Sequence, residues 1–88
     1  MTTTMIEREI EVASELGLHA RPAAAFAQAA ARFVSSVTVV KGDREADGKS
    51  VLMVLTLDVR CGDRIRIRVS GPDAQRALDE LTGMVGTP

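Results

Sequence analysis

Eighty-eight residues leave room for one small domain and one core, below the roughly 100–150-residue mode of domain size, so a two-domain enzyme is excluded. A hydrophobic content of 45% with 26% charge is the ordinary globular mixture, and no run approaches the ~18 apolar residues of a membrane span. A net charge of −1 and only two aromatics, Phe26 and Phe33, argue against the basic footprint and stacking platforms of a nucleic-acid binder.

The first seven residues, Met1 to Glu7, have neither a basic nor an apolar export region, so a cytoplasmic location is expected. Cys61 is the only cysteine, which rules out an internal disulfide, and one histidine cannot complete a Cys/His metal cluster. No cofactor or metal is therefore expected. His19 is the one side chain whose ordinary titration lies near pH 7.

In chain order, Ile6 to Val12 alternates, with Glu7, Glu9 and Glu11 on one face and Ile6, Ile10 and Val12 on the other. This predicts a half-buried strand. Ser14 to Leu18 reads as a loop, and Ala20 to Val34 holds eight alanines with an apolar stripe at Ala23, Phe26, Ala27, Ala30 and Phe33/Val34, predicting a helix of about four turns. Pro22 is tolerated in its first turn, where amides have no intrahelical partner. Ser36 to Lys41 and Arg44 to Asp47 flank the turn residues Gly42 and Asp43 and predict a hairpin.

After Ser50, the apolar run Val51 to Leu57 fits a strand on pattern alone, although periodicity does not separate strand from short helix there. Arg64 to Val69 alternates between arginine and aliphatic residues, a strand with one charged face. Pro72 at a first helical position, Asp73 in the first turn and the stripe Ala74, Ala77, Leu78, Leu81 and Met84/Val85 predict a closing amphipathic helix. Strands with one charged and one aliphatic face make a sheet covered by helices on one side, a two-layer α+β sandwich. The three glutamates of the first strand and the three arginines of the last predict that these strands are neighbours, since opposite charges across a ladder are worth about 0.2–1 kcal/mol each. A solvated face with coincidental sign segregation is the alternative.

His19 stands where the loop enters the alanine-rich helix, and Arg21 follows two residues on. A helix start offers unpaired N–H groups and the positive end of the dipole, and a guanidinium is a forked phosphate ligand. A neutral imidazole is a competent nucleophile toward phosphorus. No Gly-rich nucleotide loop appears, and no partner acid or base for His19 is visible, so the site is suited to carry a phosphoryl group rather than to act alone. A lone surface histidine without a function is the bland alternative.

The run Gly17-Leu18-His19-Ala20-Arg21-Pro22-Ala23 resembles the active-site signature of the HPr family, histidine-containing phosphocarriers of the bacterial phosphoenolpyruvate-dependent sugar phosphotransferase system. Gly48-Lys49-Ser50-Val51-Leu52 resembles the regulatory-serine segment of that family, and the likeness runs on through Gly62 and Ser70-Gly71. The resemblance implies one HPr-like domain over 1–88: an open-faced sandwich whose four-stranded antiparallel sheet, order 1-4-2-3, is covered on one face by three helices. The segment after Ser50 would then be a short helix.

The same resemblance implies that His19 accepts a phosphoryl group on Nδ1 from enzyme I and passes it to IIA domains of sugar permeases. Arg21 would hold the phosphoryl oxygens together with the backbone of Ala20 and Arg21. The protein would be a stoichiometric carrier, a monomer with no nucleic-acid or membrane partner. Ser50 would be phosphorylated by HPr kinase/phosphorylase, which adds a transcriptional regulator to the partners; an N-cap serine worth about 1 kcal/mol is the compatible structural role. Lys49, Leu52, Met53 and Leu55 would border the docking surface, since a short helix cannot bury every residue of so apolar a run. Met53 stands where relatives commonly have glycine, and Leu16 where many have a small polar residue, which bears on partner preference.

Two other readings stay open on sequence. One is a regulatory HPr-like protein of the nitrogen-branch type, signalling by its phosphorylation state without feeding sugar uptake. The other is a small ligand-binding module of ferredoxin-like or ACT type, which would need no histidine. Cys61, in a turn beside Gly62, has no assigned role.

Overall fold

The computed structural model describes residues 4–13, 17–18 and 20–87; His19, Leu16 and Ser14 lie outside them. Strand β1 (Met5–Val12) is followed by helix α1 (Ala20–Ala31) and the strands β2 (Ser36–Lys41) and β3 (Arg44–Asp47). Helix α2 (Val51–Thr56), strand β4 (Arg64–Ser70), helix α3 (Ala74–Val85) and a two-residue strand β5 (Gly86–Thr87) complete the chain. The sheet runs β3-β2-β4-β1-β5 with every pairing antiparallel. Its first four strands are the expected 1-4-2-3 order read from the other edge. The short β5 is an addition, held where Gly86 and Thr87 pair with Val12 and Glu11.

The charge argument that made β1 and β4 neighbours holds in register as well as in order. Glu7 lies opposite Arg68, Glu9 opposite Arg66 and Glu11 opposite Arg64. Arg68 Nε is 3.1 Å from Glu7 and Arg66 is 3.5 Å from the same carboxylate, while Arg64 reaches Glu9 at 3.2 Å. Glu45 of β3 extends the ladder to Arg68 at 3.5 Å. Arg8, on the helix side of β1 by its parity, turns to α3 and donates to Thr82 Oγ1 and Asp79, each at 3.1 Å.

The opposite faces of these strands supply Ile10, Val12, Val37, Val39, Ile65, Ile67 and Val69 to a single buried cluster. Phe26 of α1, Val54 of α2 and Leu78, Leu81 and Val85 of α3 close over them. With Phe26 as the only large ring fully buried, the helices come close through alanine: Ala23, Ala30, Ala74 and Ala77 are all at 0–1% exposure. Small side chains leave little rotamer entropy to lose and permit dense packing.

Three boundaries differ from the sequence pattern. Helix α1 ends at Ala31 rather than Val34, because Arg32 and Phe33 donate to Ala29 and Ala30, tightening the last turn to i→i+3 spacing. Helix α3 begins at Ala74, leaving Pro72 and Asp73 in the preceding turn, with the Asp73 carboxylate turned to the α1–β2 connection. The third concerns Val51–Thr56, which is helical, as the family resemblance implied and the strand-like pattern did not. Ser50 Oγ accepts from Met53 N–H at 3.3 Å, Val54 is fully buried, and Thr56 Oγ1 donates back to Met53 O at 2.6 Å.

The hairpin turns at Gly42, whose φ of +62° is the value that the first central residue of a tight hairpin turn requires. No helix among the described residues is long and apolar enough to cross a membrane.

Candidate functional site

The turn before α1 is fixed by the segment that follows α2. Leu18 is buried and its N–H donates to Val59 O at 2.9 Å. Gly17 has φ +59°, and a Cβ there would strike Val59 O and Arg60 Cα, so only glycine lets the two backbones come this close. Helix α1 then begins at Ala20, the residue after His19. The N–H groups of its first turn have no partner inside the helix, and Ala20 and Arg21 are both exposed there. Pro22 is half-buried and costs the helix no hydrogen bond at this position. Beneath the turn a small apolar hollow of about 80 Å³ runs between α1 and α3, lined by Gly17, Leu18, Phe26, Met84 and Val85.

Around Val59 stands a charged group that sequence reasoning missed. Asp58 ends α2 with φ +51°, the only non-glycine residue at positive φ among those described. Its Oδ2 accepts from Arg60 Nε and Nη2 at 3.2 and 2.9 Å. Lys41 Nζ donates to Asp58 O at 2.8 Å and pairs with Asp63 at 2.9 Å, while Arg60 N–H also donates to Asp63. The Arg60 N–H, and then Lys41, hold the Asp63 carboxyl below its ordinary value; the bonds from Asp58 raise the Arg60 guanidinium above its own. Nothing local in the sequence marks these residues. They reach the α1 start through the contacts of Gly17 and Leu18 with Val59 and Arg60, between positions far apart in the chain.

The other expected residues fall on α2 and its approach. Lys49 is half-buried and its Nζ donates to Phe33 O at 2.8 Å, tying the approach to α2 to the end of α1. Ser50 is half-buried as the N-cap. Leu52 is 76% exposed and Met53 45%, whereas Leu55 is packed against the core and contributes less to the surface. Among the described residues no group of His, Cys, Asp and Glu could hold a metal ion.

The fold is thus an open-faced α+β sandwich with an exposed arginine in the first turn of its first helix and apolar side chains exposed on its second. Comparison with known proteins places it in a class. The family described as "PTS HPr component phosphorylation site" matches residues 6–86. A phosphocarrier protein HPr from Cupriavidus necator is 36% identical over 81 residues, covering 92% of this chain and 91% of its relative. A phosphocarrier protein NPr from Shewanella violacea is 38% identical over 82 residues, 93% and 90% of the two chains. The crystal structure of an HPr from Bacillus anthracis superposes with a TM-score of 0.90 at 34% identity, over 92% of this chain and 96% of that one. The chain belongs to the HPr family of phosphocarriers of the bacterial phosphotransferase system.

Proposed function

We propose that His19 is the phosphoryl acceptor of this phosphocarrier, taking the group on Nδ1 from phosphorylated enzyme I and passing it to IIA domains of sugar permeases. The carrying observation is the family match across 6–86, which spans the Gly17-to-Ala23 signature. The start of α1 at Ala20 supports it, since acceptor and helix N-terminus are then consecutive in the chain. In the transfer, a lone pair of the neutral imidazole forms the new N–P bond, and the donor nitrogen keeps the electron pair of the bond that breaks. The arriving oxygens meet the N–H groups of Ala20 and Arg21 and the Arg21 guanidinium, all favouring negative charge.

On this reading the protein is one domain over 1–88 and a stoichiometric carrier rather than an enzyme. It works in the cytoplasm as a monomer, without cofactor, nucleic acid or membrane. Leu52 and Met53 give partners an apolar anchor, with Leu55 and Lys49 at its edge. Ser50 is the regulatory position: a phosphate on an N-cap oxygen is favoured by the helix dipole and changes the charge of the docking surface. HPr kinase/phosphorylase and a transcriptional regulator are the partners that use it.

The NPr relative, as similar as the HPr relative, favours a second reading, a regulatory carrier of the nitrogen-branch type that does not feed sugar uptake. Partner choice separates the two: transfer from phospho-His19 to a sugar IIA domain supports the first, and transfer only to a regulatory IIA domain supports the second.

The test of both is phosphorylation with purified enzyme I and phosphoenolpyruvate. An acid-labile, alkali-stable phosphate is expected on the wild type and none on His19→Ala. Label that survives the substitution overturns the assignment.

A further inference from the structure

The Asp58–Arg60 pair is not used by the carrier mechanism, yet it flanks Val59, the residue to which the backbone just before the acceptor is bonded. Arg60 Cα is packed against Gly17, so the base of this side chain is fixed at the acceptor turn while its guanidinium is exposed. Asp58 follows the Leu57 cap of α2 in the left-handed conformation that commonly ends a helix, and a carboxylate stands there where glycine is usual. Its effect is to place one carboxylate oxygen under both Arg60 nitrogens.

We propose that Arg60 is a second anion ligand of the phosphorylated protein, exchanging the Asp58 carboxylate for oxygens of the phosphoryl group carried at the turn. This rests on the reading of His19 as acceptor. An ion pair in water is held weakly, because both partners are nearly as well solvated apart. A phosphoryl group brings about −1.5 to −2 charges and three strong acceptor oxygens, so it outcompetes a single carboxylate for a guanidinium. Asp58 then acts as the resting partner: it keeps Arg60 ordered beside the turn while the site is empty and opposes the bound anion once it is filled. Lys41 stays with Asp63 and the Asp58 carbonyl, bracing the segment throughout.

The exchange makes opposite predictions for the two members of the pair. Phosphorylated wild type is mixed with an equal amount of a variant and a catalytic quantity of enzyme I, and the equilibrium partition of phosphate is read by mass spectrometry. Arg60→Gln is expected to hold about threefold to tenfold less phosphate than wild type, and Arg60→Lys to recover most of the loss. Asp58→Asn, which tolerates the left-handed backbone, is expected to hold more than wild type. Thermal midpoints of the unphosphorylated variants should stay near that of wild type.

Equal partition between wild type and Arg60→Gln overturns the proposal. So does a shift of Asp58→Asn in the same direction as Arg60→Gln, the result expected if the pair only braces the turn. If the wild type takes no phosphate, or His19→Ala takes it, the carrier reading itself fails, and the two failures are distinct.

Discussion

On the uncovered face of the sheet, Glu7 is shared by Arg66 and Arg68, and Glu9 holds Arg64, so most of the charge there is answered from within the molecule. On the helix side around α1 and α2, Arg21 stands exposed in a first helical turn, and Leu52 and Met53 project into solvent. Both surfaces are wet. The first is complete without a partner, because each strand brings the complement of its neighbour. The second exposes apolar area and first-turn amides that have no partner inside the helix. The proposed function lies on that second surface, where the molecule leaves its own interactions unfinished.

The comparison breaks most visibly if the two surfaces prove equally dispensable. Replacing Leu52 and Met53 together by serine should slow phosphoryl transfer from enzyme I by about tenfold, since exposed apolar anchors carry a large share of docking energy. Thermal stability should change little, as neither side chain belongs to the buried cluster. Unchanged transfer rates in a stopped-flow assay would remove α2 from the docking surface.

A smaller effect is expected in acid. Ser35 Oγ, then Val34 N–H and Ser35 N–H, donate to the Asp73 carboxylate and hold its pKa at about 2, below the ordinary 3.8. A carboxyl depressed by folding stabilises the native state above its unfolded value and ceases to do so as pH falls through its folded one. Stability should therefore decline as pH falls from about 4 toward about 2. Asp73→Asn should flatten that limb in a pH series of urea midpoints; an unchanged slope would assign the acid sensitivity elsewhere, Asp63 being the next candidate.

The smallest effect belongs to the uncovered face. Arg68→Gln should lower the denaturant midpoint only slightly, as the loss of a solvent-screened pair does, and leave phosphoryl transfer unaltered. A transfer defect in this variant would mean that the charged face also meets a partner.

Much of this was legible in one dimension because alternation is a local property. The parity of Glu7, Glu9 and Glu11 against Arg64, Arg66 and Arg68 predicted both faces of the sheet and the β1–β4 adjacency, and the stripe on α3 predicted its buried side. The family signature was equally local, seven consecutive residues from Gly17 to Ala23. Val51–Thr56 was not legible by pattern, because the run Val51 to Leu57, apolar at six of its seven positions, satisfies either period. The Ser50 cap and the burial of Val54 select the helix. Asp73, expected inside the first turn of α3, instead precedes it, because its carboxylate accepts from Val34 and Ser35 beyond the end of α1.

The sequence by itself determined the two-layer α+β class, the charged and aliphatic faces, and the residues that mark the family. Short-range periodicity and spacing are sufficient for these. Tertiary structure alone decided which exposed groups stand near the turn that leads into α1. Residues 58–60 reach Gly17 and Leu18 only when the core closes, and a contact between segments about forty positions apart leaves no local trace in either.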